Sequence, residues 1–504
     1  MAGQGDAGAH LAVRRVLASD WAIGVVAAVS WLLRYAYAFG LRFRQPPEWA
    51  SWFDQGKYLQ SAGAFAGGDL SAASHWYPAA YPLLAAPFTR LFPLEPFLLP
   101  DLTLFALACI GFTRALRPLV GRWTAALIFA ASLLILDNTA LFWLEPWTTT
   151  LSATLIWWLI AALVDLAFPP DAQQPTPQSL IMLGLLAGAL PLVRPSDALV
   201  SIVALAIGAF LLFRDKRLSV AKVTRIALGG IAVVLPFGLL HLAIYGPHPG
   251  GYITAGRNQG FAFADLPWRA YVLLITPRPW FPEGQSLVEG LPLLVPGAAG
   301  LIVVAATASR SARRWVALVA LVAAPYAATY LAYTDLQPPG LWRFNNAHYF
   351  KWLFPLFGLG LWWWLGSFGR LRTAFAAMVA LCLVMLPACF RLLPVPVSDD
   401  QPARMLLFRG ATDRQWSEAY FASSVVTDSA GSLVNVGQFH QVPDLAGERA
   451  ISVIRPFAAQ ARRLDPGEPT PYQGWQRPYG RYATRISFGL PCWLNPAPCR
   501  LPVF

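Results

Sequence analysis

The stretch from Trp52 to Phe88 holds the residues best suited to chemistry. Asp54, Lys57 and Tyr58 stand at positions i, i+3 and i+4, so a helix here would place all three on one face. A carboxylate in such a place can take a proton from an attacking hydroxyl, and a positioned general base typically contributes about 10²–10⁴-fold to a rate. Burial would raise the carboxyl pKa toward a useful range, and Lys57 would oppose that rise. The alternative is an ordinary loop acid that caps a surface helix.

The composition of the whole chain is that of a membrane protein. Of its 504 residues, 56% are hydrophobic and 13% are charged, whereas soluble globular proteins carry about 25% charged residues. The formal net charge is +12, and the cations cluster in short loops between apolar segments. This clustering indicates membrane orientation and contact with anionic headgroups, and the sequence has no basic-aromatic array that would indicate nucleic-acid binding.

Apolar segments long enough to span a bilayer recur along the chain. The first, at about 16–41, has no small-residue cleavage site after it, so we predict a retained signal anchor. The pattern predicts an all-α polytopic membrane protein with about eleven transmembrane helices. The other spans are predicted at about 97–113, 124–143, 147–168, 179–194, 196–213, 226–245, 291–308, 315–334, 348–368 and 373–393.

The positive-inside rule orients these predicted spans. With the N-terminus in the cytoplasm, Arg and Lys residues fall in the predicted inner loops, and only the inner loop 169–178 lacks a cation. The first outer loop then covers 42–96 and lies on the extracytoplasmic surface of the membrane. This orientation places Asp54 outside.

An odd number of crossings leaves the polar tail outside as well. There Cys492 and Cys499 could form a local disulfide, because disulfides persist in oxidising compartments. Short apolar runs at 423–428 and 449–454 predict strands. We predict a transmembrane module over 1–393 and a small extracytoplasmic α/β domain over 394–504.

Several short motifs occur in a characteristic order. An acid and a tyrosine follow the first span, and then an Ala/Gly-rich helix leads to an aromatic-Pro run. A Glu-Pro pair and a Gly-rich helix ending in Arg-Pro come later. The segments are Asp54-Gln55-Gly56-Lys57-Tyr58, Tyr77-Pro78-Ala79-Ala80-Tyr81-Pro82-Leu83-Leu84, Leu144-Glu145-Pro146, Gly184-Leu185-Leu186-Ala187-Gly188 and Val193-Arg194-Pro195.

Over roughly residues 17–370 this order resembles the GT-C membrane glycosyltransferases. The nearest likeness is to the branch of protein O-mannosyltransferases and aminoarabinose transferases. The resemblance implies transfer of one sugar from a polyprenyl-phosphate carrier to an acceptor hydroxyl on the outer face of the cytoplasmic membrane. It also implies a single, inverting displacement with Asp54 as base. The acceptor could be a glycolipid, a polysaccharide or a protein.

The leaving lipid phosphate would need cations or hydrogen-bond donors at headgroup depth. Glu145 is a candidate second acid, and the alternative is a carboxylate favoured by a helix N-terminus. For the cations the alternative is snorkelling to headgroups, and for His75 it is an interfacial polar tip. The candidates for sugar or phosphate binding are Lys57, Tyr58, His75, Tyr81, Arg194, Arg257, Arg343, His348 and Lys351.

One position departs from the family pattern. Many relatives have a second acid beside the first, and here that position is Gln55. The departure leaves open whether a divalent cation takes part, and the sequence shows no metal-ligand cluster. Two other functions stay open: a transporter or flippase for a lipid-linked glycan, and a non-catalytic scaffold of envelope-glycan assembly.

Overall fold

Apolar helices make up most of the described chain. The structure is a computed structural model, and it describes residues 20–39, 49, 53–169, 175–263, 266–277, 285–343, 345–366 and five strands between 405 and 454. Six of the described helices are long and apolar enough to cross a membrane, or seven if one bent pair counts as a single span. The predicted fold class, an all-α polytopic membrane protein, is confirmed for this part of the chain.

Ten of the predicted spans coincide with described helices, and the eleventh, at 373–393, lies outside the described residues. The helices are α1 Asp20–Phe39, α2 Phe53–Gly67, α3 Ala80–Ala85, α4 Leu98–Ala115, α5 Arg122–Leu134, α6 Asp137–Leu144, α7 Thr148–Ala167, α8 Pro177–Val193, α9 Ala198–Arg214, α10 Val220–Tyr245, α11 Gly251–Gln259, α12 Leu266–Ala270, α13 Leu287–Gly290, α14 Leu294–Thr307, α15 Arg310–Ala332, α16 Pro338–Arg343 and α17 Phe354–Gly366.

The predicted span 124–143 is two helices rather than one. Helices α5 and α6 meet at a bend of 98°, because Leu136 is extended with ψ 134°. The guanidinium of Arg34 on α1 stabilises the break: its Nε donates to the Leu134 carbonyl at 3.0 Å, and it forms an ion pair with Asp137. The side chain of Arg34 thus contacts both helices at the bend.

Two glycines bring α8 and α10 into backbone contact. A Cβ on Gly184 would lie 1.8 Å from the Ile226 carbonyl oxygen, and one on Gly229 would lie 2.0 Å from the Ile181 carbonyl oxygen. Small residues allow this close packing where lipid provides no hydrophobic drive. The contact fixes α8, whose C-terminal end carries Arg194.

The segment predicted as the first outer loop, called the first outer segment below, folds into short helices rather than an open loop. Helix α2 ends at Gly67, and Gly68 follows with φ +74°, a backbone conformation that glycine adopts readily. A 3-10 turn, Ala72–Ser74, and helix α3 follow before α4 begins. This path brings residues 75–81 back to α2.

The described residues belong to two compact units. The first takes the described residues up to Asn258, Pro296–Ala327 and those from His348 to Gly366, and it holds the site described below. The second takes Gln259–Val295, Ala328–Ala347 and the C-terminal strands.

The strands form two small antiparallel sheets, one of order β2-β1-β5 and one of β3 with β4. Two of them lie at the positions where the sequence predicts strands. The strand bounds are β1 Met405–Arg409, β2 Trp416–Tyr420, β3 Val425–Thr427, β4 Leu433–Val436 and β5 Arg449–Ile454. Cys492, Cys499 and the predicted boundary at 393/394 lie outside the described residues.

Candidate active site

Asp54 is the second residue of α2, and its carboxylate is partly buried. The Tyr77 hydroxyl donates a hydrogen bond of 2.5 Å to Asp54 Oδ1. In the described part of the chain, Asp54 Oδ2 accepts no hydrogen bond. Burial raises the pKa of the Asp54 carboxyl, and the Tyr77 bond and the charge of Arg194 act against that rise. One carboxylate oxygen is therefore held, and the other is available to a ligand.

Tyr77 is fixed by rings on two sides. Its ring centroid lies 4.6 Å from that of Tyr58 and 4.9 Å from that of Tyr252. Tyr58 is fully buried and also packs edge-on against Tyr81, with centroids 5.5 Å apart. Aromatic pairs of this kind contribute about 0.5–1.5 kcal/mol each beyond area burial, so the stack holds the Tyr77 hydroxyl in one place.

Arg194 follows the last residue of α8. Proline disfavours the helical conformation in the residue before it, and Arg194, which precedes Pro195, is extended with φ −148° and ψ 119°. The guanidinium carbon lies 4.4 Å from the Tyr349 ring centroid, and Nη2 lies 3.5 Å from the Tyr252 hydroxyl. Arg194 is buried, and its charge lowers the pKa of Asp54. The sequence-predicted acid and this cation therefore belong to one cluster.

The turn Glu145-Pro146-Trp147, called the second outer turn after the side of the membrane predicted for it, is joined to α2 by Gln55. The buried Gln55 amide donates from Nε2 to the Pro146 carbonyl oxygen at 3.1 Å. An ionised carboxylate at position 55 could not donate this bond. Glu145, the predicted second acid, is also buried, and it accepts a bond of 3.3 Å from Trp147 Nε1.

Lys351 is completely buried beside the same turn. Its Nζ donates to the Phe142 carbonyl at 2.8 Å and to Thr150 Oγ1 at 2.6 Å, and it lies 4.8 Å from the Trp143 ring centroid. Phe142 precedes Glu145 in the chain and Thr150 follows it. The Lys351 ammonium therefore links the two ends of this turn.

His348 is held against this turn too. Its Nδ1 lies 2.9 Å from Thr149 Oγ1, and its ring stacks on Trp147 with centroids 3.9 Å apart. The polar residues His348 and Lys351 lie in a 3-10 turn and the turn that follows it, so α17 begins at Phe354 rather than near 348 as predicted. Arg343, the third residue of the predicted cluster, ends α16 in the second unit, and its side chain lies outside the described part.

His75 is buried and bonded within the first outer segment. Its Nδ1 lies 2.7 Å from Ser61 Oγ, and its Nε2 lies 2.8 Å from the Asp69 carbonyl oxygen. The ring also stacks on Phe65, with centroids 4.3 Å apart. Both ring nitrogens are used in joining α2 to the turn after it.

Three other predicted residues do not join Asp54. Lys57 bonds to Gln60 Oε1 at 3.1 Å along its own helix. Arg257 is exposed on α11. Tyr81 donates to both carboxylate oxygens of Asp101, at 2.8 and 3.0 Å.

The sequence reasoning missed Tyr77 and Asp101 as functional or structural partners. Tyr77 belongs to the Tyr-Pro motif, but nothing in the local sequence indicates that its hydroxyl reaches Asp54. The sequence does contain a signal for Asp101: an acid inside a predicted apolar span is uncommon and needs a polar partner. Asp197 is similarly buried and accepts a 2.6 Å bond from Ser152 Oγ.

The groups beside Asp54 are the Tyr77 phenol, the Arg194 guanidinium and the Gln55 amide, whose buried Oε1 has no hydrogen-bond partner among the described residues. Within the described ranges, no group of three or more His, Cys, Asp and Glu residues is arranged to hold a metal ion.

An apolar cavity of about 230 Å³ lies in the same unit. Tyr252, which contacts Tyr77 and Arg194, is one of its lining residues, and Trp76 next to Tyr77 is another. The remaining walls come largely from the C-terminal end of α8 and from α10, including Pro191, Phe237 and Ile244. The polar cluster and the apolar cavity thus share a side chain.

These features define a polytopic α-helical membrane protein with a partly buried carboxylate and a buried arginine beside an apolar cavity. No family model matches the chain, and no curated protein matches it. A similar solved structure is the crystal structure of ArnT from Cupriavidus metallidurans bound to undecaprenyl phosphate, with 15% sequence identity and a TM-score of 0.45. The match covers 73% of this chain and 70% of that one.

Proposed function

We propose that this protein transfers a single sugar from a polyprenyl-phosphate carrier to an acceptor hydroxyl. The site faces the outer side of the cytoplasmic membrane, and the N-terminus lies in the cytoplasm. The observation that carries the proposal is the pairing of a held, partly buried carboxylate with a buried guanidinium in one cluster. The sugar is not specified, and the acceptor is a glycolipid, a polysaccharide or a protein.

Asp54 acts as the general base. Its Oδ2 takes the proton of the acceptor hydroxyl while that oxygen forms a bond to the anomeric carbon of the sugar. The bond from this carbon to the carrier phosphate breaks, and the electron pair leaves with the phosphate. Burial raises the pKa of Asp54, and a base with a raised pKa is better matched to a neutral working pH. One displacement of this kind inverts the anomeric carbon.

Arg194 stabilises the charge that develops on the leaving phosphate. A guanidinium is always charged and can donate two hydrogen bonds to one phosphate. Tyr349 and Tyr252 hold it inside the protein, where charge interactions are stronger than in bulk water. Three further predicted residues are proposed in supporting roles: Glu145 is the second acid, and His348 and Lys351 hold the turn that carries it in place.

The apolar cavity suits the first isoprene units of the carrier. It adjoins Tyr252 and is walled in part by α10. That helix also exposes Leu235, Leu239 and Leu242, with 58%, 59% and 55% of their surface accessible, which fits a face turned to lipid. A lipid chain could therefore lie against α10 while its phosphate reaches Arg194.

The test compares two acids of the first outer segment. Asp54→Asn removes the base and keeps the Tyr77 acceptor, whereas Asp69→Asn changes an exposed turn acid outside the cluster. Each variant is returned to a deletion strain, and envelope glycolipids and glycans are compared by mass spectrometry for a hexose- or pentose-sized increment.

We expect Asp54→Asn to reduce transfer about 10²–10⁴-fold and Asp69→Asn to leave it unchanged. Full transfer by Asp54→Asn, at equal protein levels, would reject the base assignment. Movement of undecaprenyl phosphate across liposomes containing the purified protein, without sugar transfer, would favour a flippase instead.

A further inference from the structure

The two oxygens of the Asp54 carboxylate have different surroundings. Oδ1 accepts the 2.5 Å bond from the Tyr77 hydroxyl, and among the described residues Oδ2 accepts none. The donor cannot move easily, because the Tyr77 ring is packed between Tyr58 and Tyr252 at 4.6 and 4.9 Å. A rigid donor on one oxygen fixes the direction in which the other oxygen points.

We propose that Tyr77 is a positioning residue for the base: its hydroxyl holds Oδ1, so that Oδ2 faces the acceptor hydroxyl. This inference rests on the function proposed above and adds a residue that the family motifs do not assign. General bases work only within hydrogen-bond reach of the proton that they abstract. A misplacement of about 1 Å can cost about 10²-fold in rate.

Tyr77 keeps its own proton throughout the step. Burial and the nearby Asp54 carboxylate raise the pKa of the Tyr77 hydroxyl well above its ordinary value. The proton taken from the acceptor therefore rests on Asp54 Oδ2, and the phenol continues to donate to Oδ1.

The other titratable and charged groups around the carboxylate and its Tyr77 donor come from α8, α2 and α11. Arg194, at the end of α8, lowers its pKa through its positive charge. On α2, Tyr58 packs on Tyr77, and Lys57 is engaged by Gln60. Tyr252, on α11, closes the stack and contacts Arg194. Removing the Tyr77 hydroxyl changes none of these residues, so Tyr77→Phe isolates one hydrogen bond.

The matched control is Tyr81→Phe. Tyr81 belongs to the same motif and is equally buried, but its hydroxyl donates to Asp101 instead of Asp54. Both variants lose one phenolic hydroxyl and keep the ring. A loss caused by a missing buried hydroxyl in general would affect both, whereas loss of positioning would affect Tyr77→Phe.

Transfer is measured against pH in membranes of the deletion strain that carry each variant and supply the native donor and acceptor. A hydrogen bond to the ionised carboxylate favours that form, so its loss raises the pKa of Asp54. We expect Tyr77→Phe to reduce the rate constant of transfer about tenfold to a hundredfold and to move the acid limb of the pH profile to higher pH. Tyr81→Phe should leave the acid limb where it is in the unmodified protein.

A second measurement needs no substrate. Infrared difference spectra of the purified proteins, recorded across a pH titration, report protonation of Asp54 as the carboxyl band that Asp54→Asn removes. This band should titrate at higher pH in Tyr77→Phe than in the unmodified protein. An unmoved band together with an unmoved acid limb would overturn the positioning role.

The two proposals fail in different ways. If Asp54→Asn is inactive but Tyr77→Phe behaves as the unmodified protein does, the positioning role alone is rejected. If Asp54→Asn transfers sugar at the normal rate, the base assignment is rejected, and the positioning role with it. If the unmodified protein adds no sugar-sized increment to any envelope glycolipid or glycan, the proposed function itself is rejected, even if the infrared band shifts as expected.

Discussion

Asp54 and Asp69 lie on the same outer segment in opposite surroundings. Asp69 is exposed and accepts bonds from the Ser71 backbone N–H at 2.8 Å and the Ser74 hydroxyl at 2.6 Å, which lower its pKa to about 2. Asp54 is partly buried, and burial raises its pKa. The turn acid stabilises its own loop when ionised. The raised pKa of Asp54 means that its ionised form costs folding free energy, which is a common property of functional carboxylates.

The two places also differ in what surrounds the acid. The two side chains that act on Asp54, Tyr77 and Arg194, come from separate and distant segments of the chain, whereas the partners of Asp69 are at most six residues away. We therefore expect substitutions far from Asp54 in the sequence to change the rate of sugar transfer. Substitutions in the local turn around Asp69 should mainly change the thermal stability of the protein.

After Asp54→Asn, the largest effect that separates the two places is expected from Arg194→Gln. Removal of the cation takes away stabilisation of the leaving phosphate, so we expect transfer to fall about 10²–10³-fold. Arg90→Gln, which changes an exposed arginine, is the control. The measurement is the rate of sugar transfer at saturating donor. A rate within twofold of the control would remove Arg194 from the site.

His75→Gln is expected to destabilise the turn after α2 without changing the sugar-transfer step. The imidazole joins Ser61 to the Asp69 carbonyl in a buried place, and loss of buried hydrogen bonds costs about 1–3 kcal/mol. We expect a lower thermal unfolding midpoint in detergent and an unchanged KM for the lipid donor. A raised KM with unchanged stability would instead support the sequence prediction that His75 contacts the carrier phosphate.

Gln55→Glu tests the position where the family pattern has a second acid. An ionised carboxylate would face the Pro146 carbonyl oxygen that the amide now bonds, so we expect the second outer turn to shift and transfer to fall about tenfold. Gln55→Met removes the hydrogen bond without adding a charge, so we expect it to reduce sugar transfer less than Gln55→Glu does. Increased transfer by Gln55→Glu, with or without added Mg²⁺, would contradict this role of the amide.

The smallest effects concern stability against pH, and they should have opposite signs. The folded pKa of Asp69 is depressed, so its contribution is present above about pH 4 and is lost as the pH falls toward about 2. The folded pKa of Asp54 is raised, so its cost is present at neutral pH and disappears below its unfolded value. At pH 7, Asp54→Asn should raise the thermal midpoint and Asp69→Asn should lower it. The same sign for both would show that their surroundings are more alike than the structure indicates.

Local features of the sequence predicted the helices and several parts of the site. Apolar runs of sufficient length gave the spans, and Arg194-Pro195 indicated the end of α8, because a residue before proline is disfavoured from the helix. The bend between α5 and α6 was not predictable in this way. It depends on Arg34, which lies far away in sequence from Leu134 and Asp137.

The amino-acid sequence by itself determined that the chain is built for a membrane and that Asp54 follows the first apolar span. Only the tertiary structure decided that Tyr77 donates to Asp54, that Gln55 bonds to the second outer turn and that His75 is used within its own segment. The physical reason is the range of each interaction. Hydrophobic periodicity and proline effects act over a few residues, whereas a side-chain hydrogen bond depends on which distant segments pack together.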